Sequence, residues 1–172
     1  MLPVVLALLL SPALNKQAQA ELEAHVRANA SDADAHLALC RTYYGLEQWD
    51  GAISECRKAT DLKPSATNHD WLGRAYGAKA EHASWYQAVS LAKKVRAEFE
   101  SAVEADPANS TARRDLAEFY IEAPGFLGGG KDKAVQQAAA LESIDKAGAL
   151  YVRARLAETN KDTVAAETLY QQ

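Results

Sequence analysis

Cysteine is scarce in this chain of 172 residues: Cys40 and Cys56 are the two present. Two cysteines are too few for a disulfide scaffold, and these stand too far apart for a CxxC redox motif. There is no HExxH segment and no Cys/His cluster, so the converging ligands of a zinc site are missing. Positive charge is not in excess. Lys and Arg number 19 against 23 Asp and Glu, a formal charge of −4, which excludes the basic stripe of a general nucleic-acid binder. No apolar run reaches the length of a membrane-crossing helix. No serine or cysteine stands beside a placeable base and orienting partner, so a nucleophilic enzyme has no visible catalytic set. From these absences we expect no metal, no cofactor, no nucleic acid and no enzymatic activity.

What the chain has is helix. Alanine is abundant and β-branched residues are sparse. From Ser31 to Pro64 the sequence reads SDADAHLALCRTYYGLEQWDGAISECRKATDLKP. Leu37, Leu39, Cys40, Tyr43 and Tyr44 keep helical spacing. After a break, Trp49, Ala52, Ile53, Cys56 and Ala59 keep it again. The unit is a helical hairpin of about 34 residues, with Trp49 expected between the helices. Leu72, Gly73 and Tyr76 repeat Leu39, Cys40 and Tyr43 at the same spacing; Leu116, Ala117 and Tyr120 repeat it once more. His69 likewise repeats His36. The second unit has a longer second helix, expected from Trp85 to Ala105, opened by a Ser84/Gln87 capping box. Trp85, Tyr86 and Val89 then project beyond the ordinary hairpin. They require a covering surface, either the 78–82 connection or a partner.

Cys40 and Cys56 lie one in each helix of the first hairpin. They read as two buried apolar residues or as a hairpin disulfide, the latter requiring an oxidising compartment. The compartment is also at issue in residues 1–20. An apolar run from Val4 to Leu10 precedes Ala18-Gln19-Ala20, a small-x-small cleavage pattern. This resembles a secretory signal without its basic leading segment, and implies a periplasmic or secreted protein. The alternative is an apolar first helix packed on the array of a cytoplasmic protein.

These recurrences resemble the tetratricopeptide repeat (TPR) family. Leu39, Cys40, Tyr43, Ala52, Cys56, Ala59 and Pro64 fit its pattern, as do Leu72, Gly73, Tyr76, Phe99, Ala102 and Pro107. Leu116, Ala117, Tyr120, Ala134 and Leu141 fit more loosely. His36, His69 and Arg113 stand where the family often has Trp. The long helix and the glycine loop together resemble a subset of uncharacterised exported bacterial repeat proteins. The resemblance implies an all-α solenoid of antiparallel helix pairs, with repeats over about 33–64, 66–107 and 110–146, and a partial or capping pair over 148–172. It also implies a protein- or peptide-binding scaffold that works through the concave face of its first helices. By register that face carries Asp34, Leu37, Arg41 and Tyr44, then Asp70 and Arg74, then Arg114 and Glu118. A ladder of Arg41, Arg74 and Arg114 suits an acidic segment or a peptide C-terminal carboxylate; Asp70 and Glu118 are the internal alternative partners. The other carboxylates, including Glu55 and Glu98, read as solvated helix faces.

A competing site is the loop from Gly125 to Lys131, which matches GxxxxGK up to the lysine but has Asp132 where Ser or Thr should hold magnesium. Gly128, Gly129, Gly130 and Lys131 are its anion- or nucleotide-binding candidates. In a purely structural loop, Phe126 and Leu127 tuck against the neighbouring hairpin. A third possibility is a structural subunit of a larger envelope assembly.

Overall fold

The computed structural model describes residues 12–172, with side chains from residue 16 onward. The apolar run Val4–Leu10 lies outside the described residues. Among the described residues there is no strand. The helices are α1 (Pro12–Ala28), α2 (Ala33–Gly45), α3 (Trp49–Leu62), α4 (Ala66–Glu81), α5 (Trp85–Ala105), α6 (Ser110–Glu122), α7 (Lys131–Leu141), α8 (Lys146–Thr159) and α9 (Thr163–Tyr170), with a 3-10 turn at Gly125–Leu127.

A short polar side chain opens the first helix of every pair. Asp32 accepts from the Ala35 N–H at 3.0 Å, Ser65 from Asn68 at 3.2 Å, Asn109 from Ala112 at 3.0 Å and Asp145 from Gly148 at 2.9 Å. Each cap satisfies an amide that the helix leaves without a partner. Ser84 occupies the corresponding position before α5 but its hydroxyl makes no capping bond, so the expected capping box does not form. The first hairpin reverses just after α2 ends at Gly45: Glu47 takes φ 58° and Gln48 N–H donates to the Tyr43 carbonyl at 2.9 Å. The α8–α9 turn repeats this through Lys161 (φ 61°) and Asp162, whose N–H donates to the Ala157 carbonyl at 3.0 Å. That shared turn marks α8–α9 as a fourth hairpin. Its weak periodicity has a physical cause. Helix α8 packs on α6, α7 and α9, so it buries Ala149, Val152, Ala154 and Leu156 around its circumference.

Helices pair as α2–α3, α4–α5, α6–α7 and α8–α9, and α2, α4, α6 and α8 contact one another in sequence along one side. This is the solenoid of antiparallel pairs expected from the register. Leu39, Leu72 and Leu116 are all buried. The tyrosine four residues on reaches back to the preceding helix each time. Tyr43 Oη donates to Glu23 Oε1 of α1 at 2.9 Å, Arg57 Nη2 of α3 donates to Tyr76 Oη at 2.6 Å, and Tyr120 Oη donates to Glu100 Oε1 of α5 at 3.0 Å. Burial and Glu100 push the Tyr120 hydroxyl up to about 12. Thus α1 holds the place of a second helix relative to α2. Ala20, the last residue of the small-x-small pattern, lies within it.

The small residue after each register leucine sets how closely the two helices of a pair approach. Cys40 is bonded to Cys56 as a disulfide, with Cα atoms 5.1 Å apart. Gly73 lies under the Phe99 ring, where an added Cβ would come within 2.6 Å of ring carbons. Ala117 and Ala138 are the buried counterparts in the third pair. Beside this seam run matched polar pairs. His36 Nδ1 meets Glu55 Oε2 at 2.6 Å, His69 Nδ1 meets Glu98 Oε2 at 2.7 Å, and Arg113 Nη1 donates to Gln137 Oε1 at 2.8 Å. Glu55 and Glu98 are therefore not solvated faces. They satisfy polar rings packed between helices. Trp49 is also not core: it is half-buried, edge-on to Tyr44 and stacked on His82 at 5.9 Å.

Gly73→Ala tests the seam. Helix propensity alone favours alanine by about 1 kcal/mol. Overpacking against the buried ring costs about 1–3 kcal/mol, so net destabilisation in urea is expected. Adding Phe99→Leu to Gly73→Ala should recover part of the loss.

Candidate functional site

The two irregular parts of the chain fit each other. Helices α4 and α5 have 16 and 21 residues against 13 and 14 for α2 and α3, so this hairpin overhangs the array. The loop after α6 packs on α5: Arg96 Nη1 donates to the Leu127 carbonyl at 3.3 Å, and Leu127 is buried. Gly128 follows at φ 96°, a left-handed turn that a side chain strains and that Arg96 already crowds. Phe126 does not tuck in; it is 72% exposed.

Between the overhang and α6 lies an apolar cleft of about 360 Å³. Its floor is α5, through Ala92, Val95 and Phe99. Gly77 and Ala80 of α4 line one wall, and Phe119 of α6 with Leu127 lines the other. The rim is acidic, carrying Glu81, Asp115, Glu118 and Glu122.

The expected arginine ladder resolves into three different situations. Arg41 and Arg74 converge on Trp71, their guanidinium carbons 4.9 and 5.1 Å from its ring centroid, and Tyr44 meets the same ring edge-on at 5.6 Å. Arg74 Nε is already shared by Asp70 Oδ2 at 3.0 Å and Asp115 Oδ2 at 2.6 Å. Arg114 joins neither group; its aliphatic stem lies near Gly148 and its buried Nε has no hydrogen-bond partner. Glu118 pairs with Arg155 of α8, which also holds Glu122 and Glu158. Two guanidiniums thus serve five carboxylates. Leu37 packs half-buried on the core, and Asp34 lies exposed at the α2 start, 3.3 Å from Lys63 Nζ. Sequence reasoning missed Trp71, Asp115 and Arg155. Trp71, one residue before the register Leu72, was the signal available; the other two act across repeats.

The loop donors of Gly125–Lys131 are internally used. The N–H groups of Leu127, Gly128, Gly129 and Gly130 donate to the carbonyls of Pro124, Gly125, Pro124 and Tyr120. Lys131 Nζ turns to the α8 end, bonding Asn160 Oδ1 at 2.6 Å and the Thr159 carbonyl at 3.3 Å. An anion would have to displace these bonds. Among the described residues no group of three or more His, Cys, Asp or Glu gathers to hold a metal. No helix among them is long and apolar enough to cross a membrane. Trp85 and Tyr86 contact each other edge-on at 4.6 Å and are otherwise 68% and 80% exposed, so the 78–82 connection does not cover them.

The helix-pair stacking and the inner face define a TPR-like solenoid. The sequence matches no protein-family model and no curated protein; the likeness is to solved structures. A thermophilic TPR protein from Thermus thermophilus superposes with a TM-score of 0.74 at 18% identity, over 91% of this chain and 80% of that one. MamA superposes with a TM-score of 0.65 at 17% identity, over 89% and 82%. Human IFIT1, solved as a dimer with PPP-AAAA, gives 0.70 at 24% identity over 84% of this chain and 35% of its own. At these identities the likeness is one of fold.

Asp70 yields a pH prediction. It is 4% exposed, and burial with Asp115 alongside pushes its carboxyl up to about 7, despite Arg74. The folded protein then binds a proton that the unfolded chain, at the ordinary value of 3.8, releases. This contribution is full below about pH 4 and is lost as pH rises through about 7. Asp70→Asn should flatten the fall in urea stability between pH 5 and pH 8 and leave the mutant more stable at pH 8 relative to wild type than at pH 5.

Proposed function

We propose that the protein is a non-enzymatic peptide- or protein-binding scaffold whose recognition site is the cleft between α4, α5 and α6. The observation that carries this is an apolar cleft of about 360 Å³ with more carboxylates than arginines at its rim. An apolar side chain would gain burial of roughly 25 cal/mol per Å² there. Lys or Arg on either side of it would meet Glu81, and would compete with Arg74 and Arg155 for Asp115 and Glu122. The acidic or C-terminal-carboxylate partner expected from the arginines has weaker support, because Arg74 and Arg155 are already engaged by internal carboxylates. Display of random peptides against the immobilised protein tests the reading. Sequences with a large apolar residue flanked by Lys or Arg should enrich. Ala80→Trp, which fills the cleft, should abolish that enrichment with helicity unchanged. Enrichment of acidic C-termini, or enrichment indifferent to the tryptophan, would count against it.

We also propose export to an oxidising compartment such as the periplasm. The apolar run and small-x-small pattern of residues 1–20 support it, as does the disulfide in the first hairpin. Removal of residues 1–20 would spare the polar contacts of α1 with the segment after it, Glu23 with Tyr43 and His25 with Asp32. Residues 1–20 fused to a leaderless alkaline phosphatase in a bacterial host should yield active enzyme; an inactive cytoplasmic fusion would remove the proposal.

A further inference from the structure

Helix α5 is longer than the helix laid against it. It has 21 residues against 13 in α6, and the two are joined by a short turn at its carboxyl end. About 12 Å of its amino-terminal part, roughly two turns, therefore runs past the end of α6. The apolar stripe of the helix continues along that part. Trp85, Ala88, Ala92, Val95 and Phe99 follow one another at steps of three and four residues, and the last three floor the cleft. Such spacing keeps them on one side of the helix. Trp85 is 68% exposed. The cleft thus opens at its outer end onto an apolar strip that leads to Trp85. Gly77 and Ala80, on the α4 wall, are small enough to let a second backbone approach.

We infer, on the reading that the cleft is the recognition site, that its partner is an amphipathic α-helix with a basic flank, laid along α5. Elsewhere in the array a second helix is covered by the first helix of the next pair, as α3 is by α4. The overhang of α5 is the same kind of surface, and its cover stops short. Steps of three and four residues match the ridges of another helix. They do not match an extended chain, whose side chains alternate faces about every 3.3 Å. Trp85 stands seven residues before Ala92, about 10.5 Å along the axis. A helix can therefore seat one large apolar side chain in the cleft and another, seven residues away, on Trp85. Charge sets the flank. Glu81 on the rim is exposed and makes no ion pair among the described residues. The Glu122 side chain is 67% exposed although Arg155 reaches it. Arg96, the cation beside the cleft on α5, is turned to the Leu127 carbonyl and to Glu100, so it does not offset them.

Peptides of about fifteen residues, four helical turns, selected against the immobilised full chain provide the test. Affinity is read by titration calorimetry and helix content by circular dichroism. Selected peptides should carry large apolar residues seven apart with Lys or Arg on one flank, and should gain helicity on binding. Proline at a central, solvent-facing peptide position breaks the helix and spares the anchors, so it should weaken binding at least about tenfold. Trp85→Ala, at an exposed position, should weaken binding at least about fivefold. Glu81→Gln should weaken it and reduce its salt dependence; unchanged binding there would overturn the basic flank. Peptides blocked by Ala80→Trp that tolerate the proline, or that bind Trp85→Ala as they bind wild type, would overturn the helix and leave the cleft standing. Peptides indifferent to Ala80→Trp, or no selected peptide at all, would overturn both.

Discussion

The structure depends on how closely the two helices of each pair approach at one position. A small residue in the first helix lies at the seam with the second: Cys40 bonded to Cys56, Gly73 beneath Phe99, and a buried Ala117 in the third pair, whose second helix buries Ala138. Each solution uses different chemistry and leaves the neighbouring leucine buried and the tyrosine in reach of the preceding helix. With that distance held, the first helices line up along one side, and side chains from consecutive repeats can share a face. Arg74 and Asp115 meet only because α4 and α6 stand side by side.

The inner face is polar at one end and apolar at the other, and α4 supplies both. Its first turns bring Asp70, Trp71 and Arg74 to a small recess; its last turns bring Gly77 and Ala80 to the cleft. The change of character follows from composition along a single helix. The salt bridge from Arg74 to Asp70 and Asp115 links residues that line the one with a residue that lines the other. Such partly buried charges tolerate desolvation through mutual pairing, and in Asp70 the residual penalty shows as a raised proton affinity.

The fold was legible in the sequence because its determinants are local. Leu39, Tyr43 and their counterparts recur at fixed spacing, and the start and end of α5 follow from an unbroken apolar stripe. The site was less legible because it is made across repeats. Register placed Arg41, Arg74 and Arg114 on one line, but what each touches depends on side-chain reach: Trp71, two aspartates, or the stem contact with Gly148. The roles of Glu55 and Glu98 had a readable signal, since each precedes a seam residue, Cys56 or Phe99, and pairs with a histidine already seen to repeat. The cleft had none, because its walls come from segments more than about forty residues apart.

The contact of Arg96 with the Leu127 carbonyl joins an elongated helix in one repeat to a glycine loop in the next. In most solenoids a repeat is a module that can be deleted, duplicated or exchanged alone. Here the two irregular units form a single cassette. Shortening α5 without replacing the loop would strip Leu127 of its cover, and trimming the loop would lay bare the flank of α5. Any recombination that preserves this surface must therefore cut outside residues 66–130 and move the block whole.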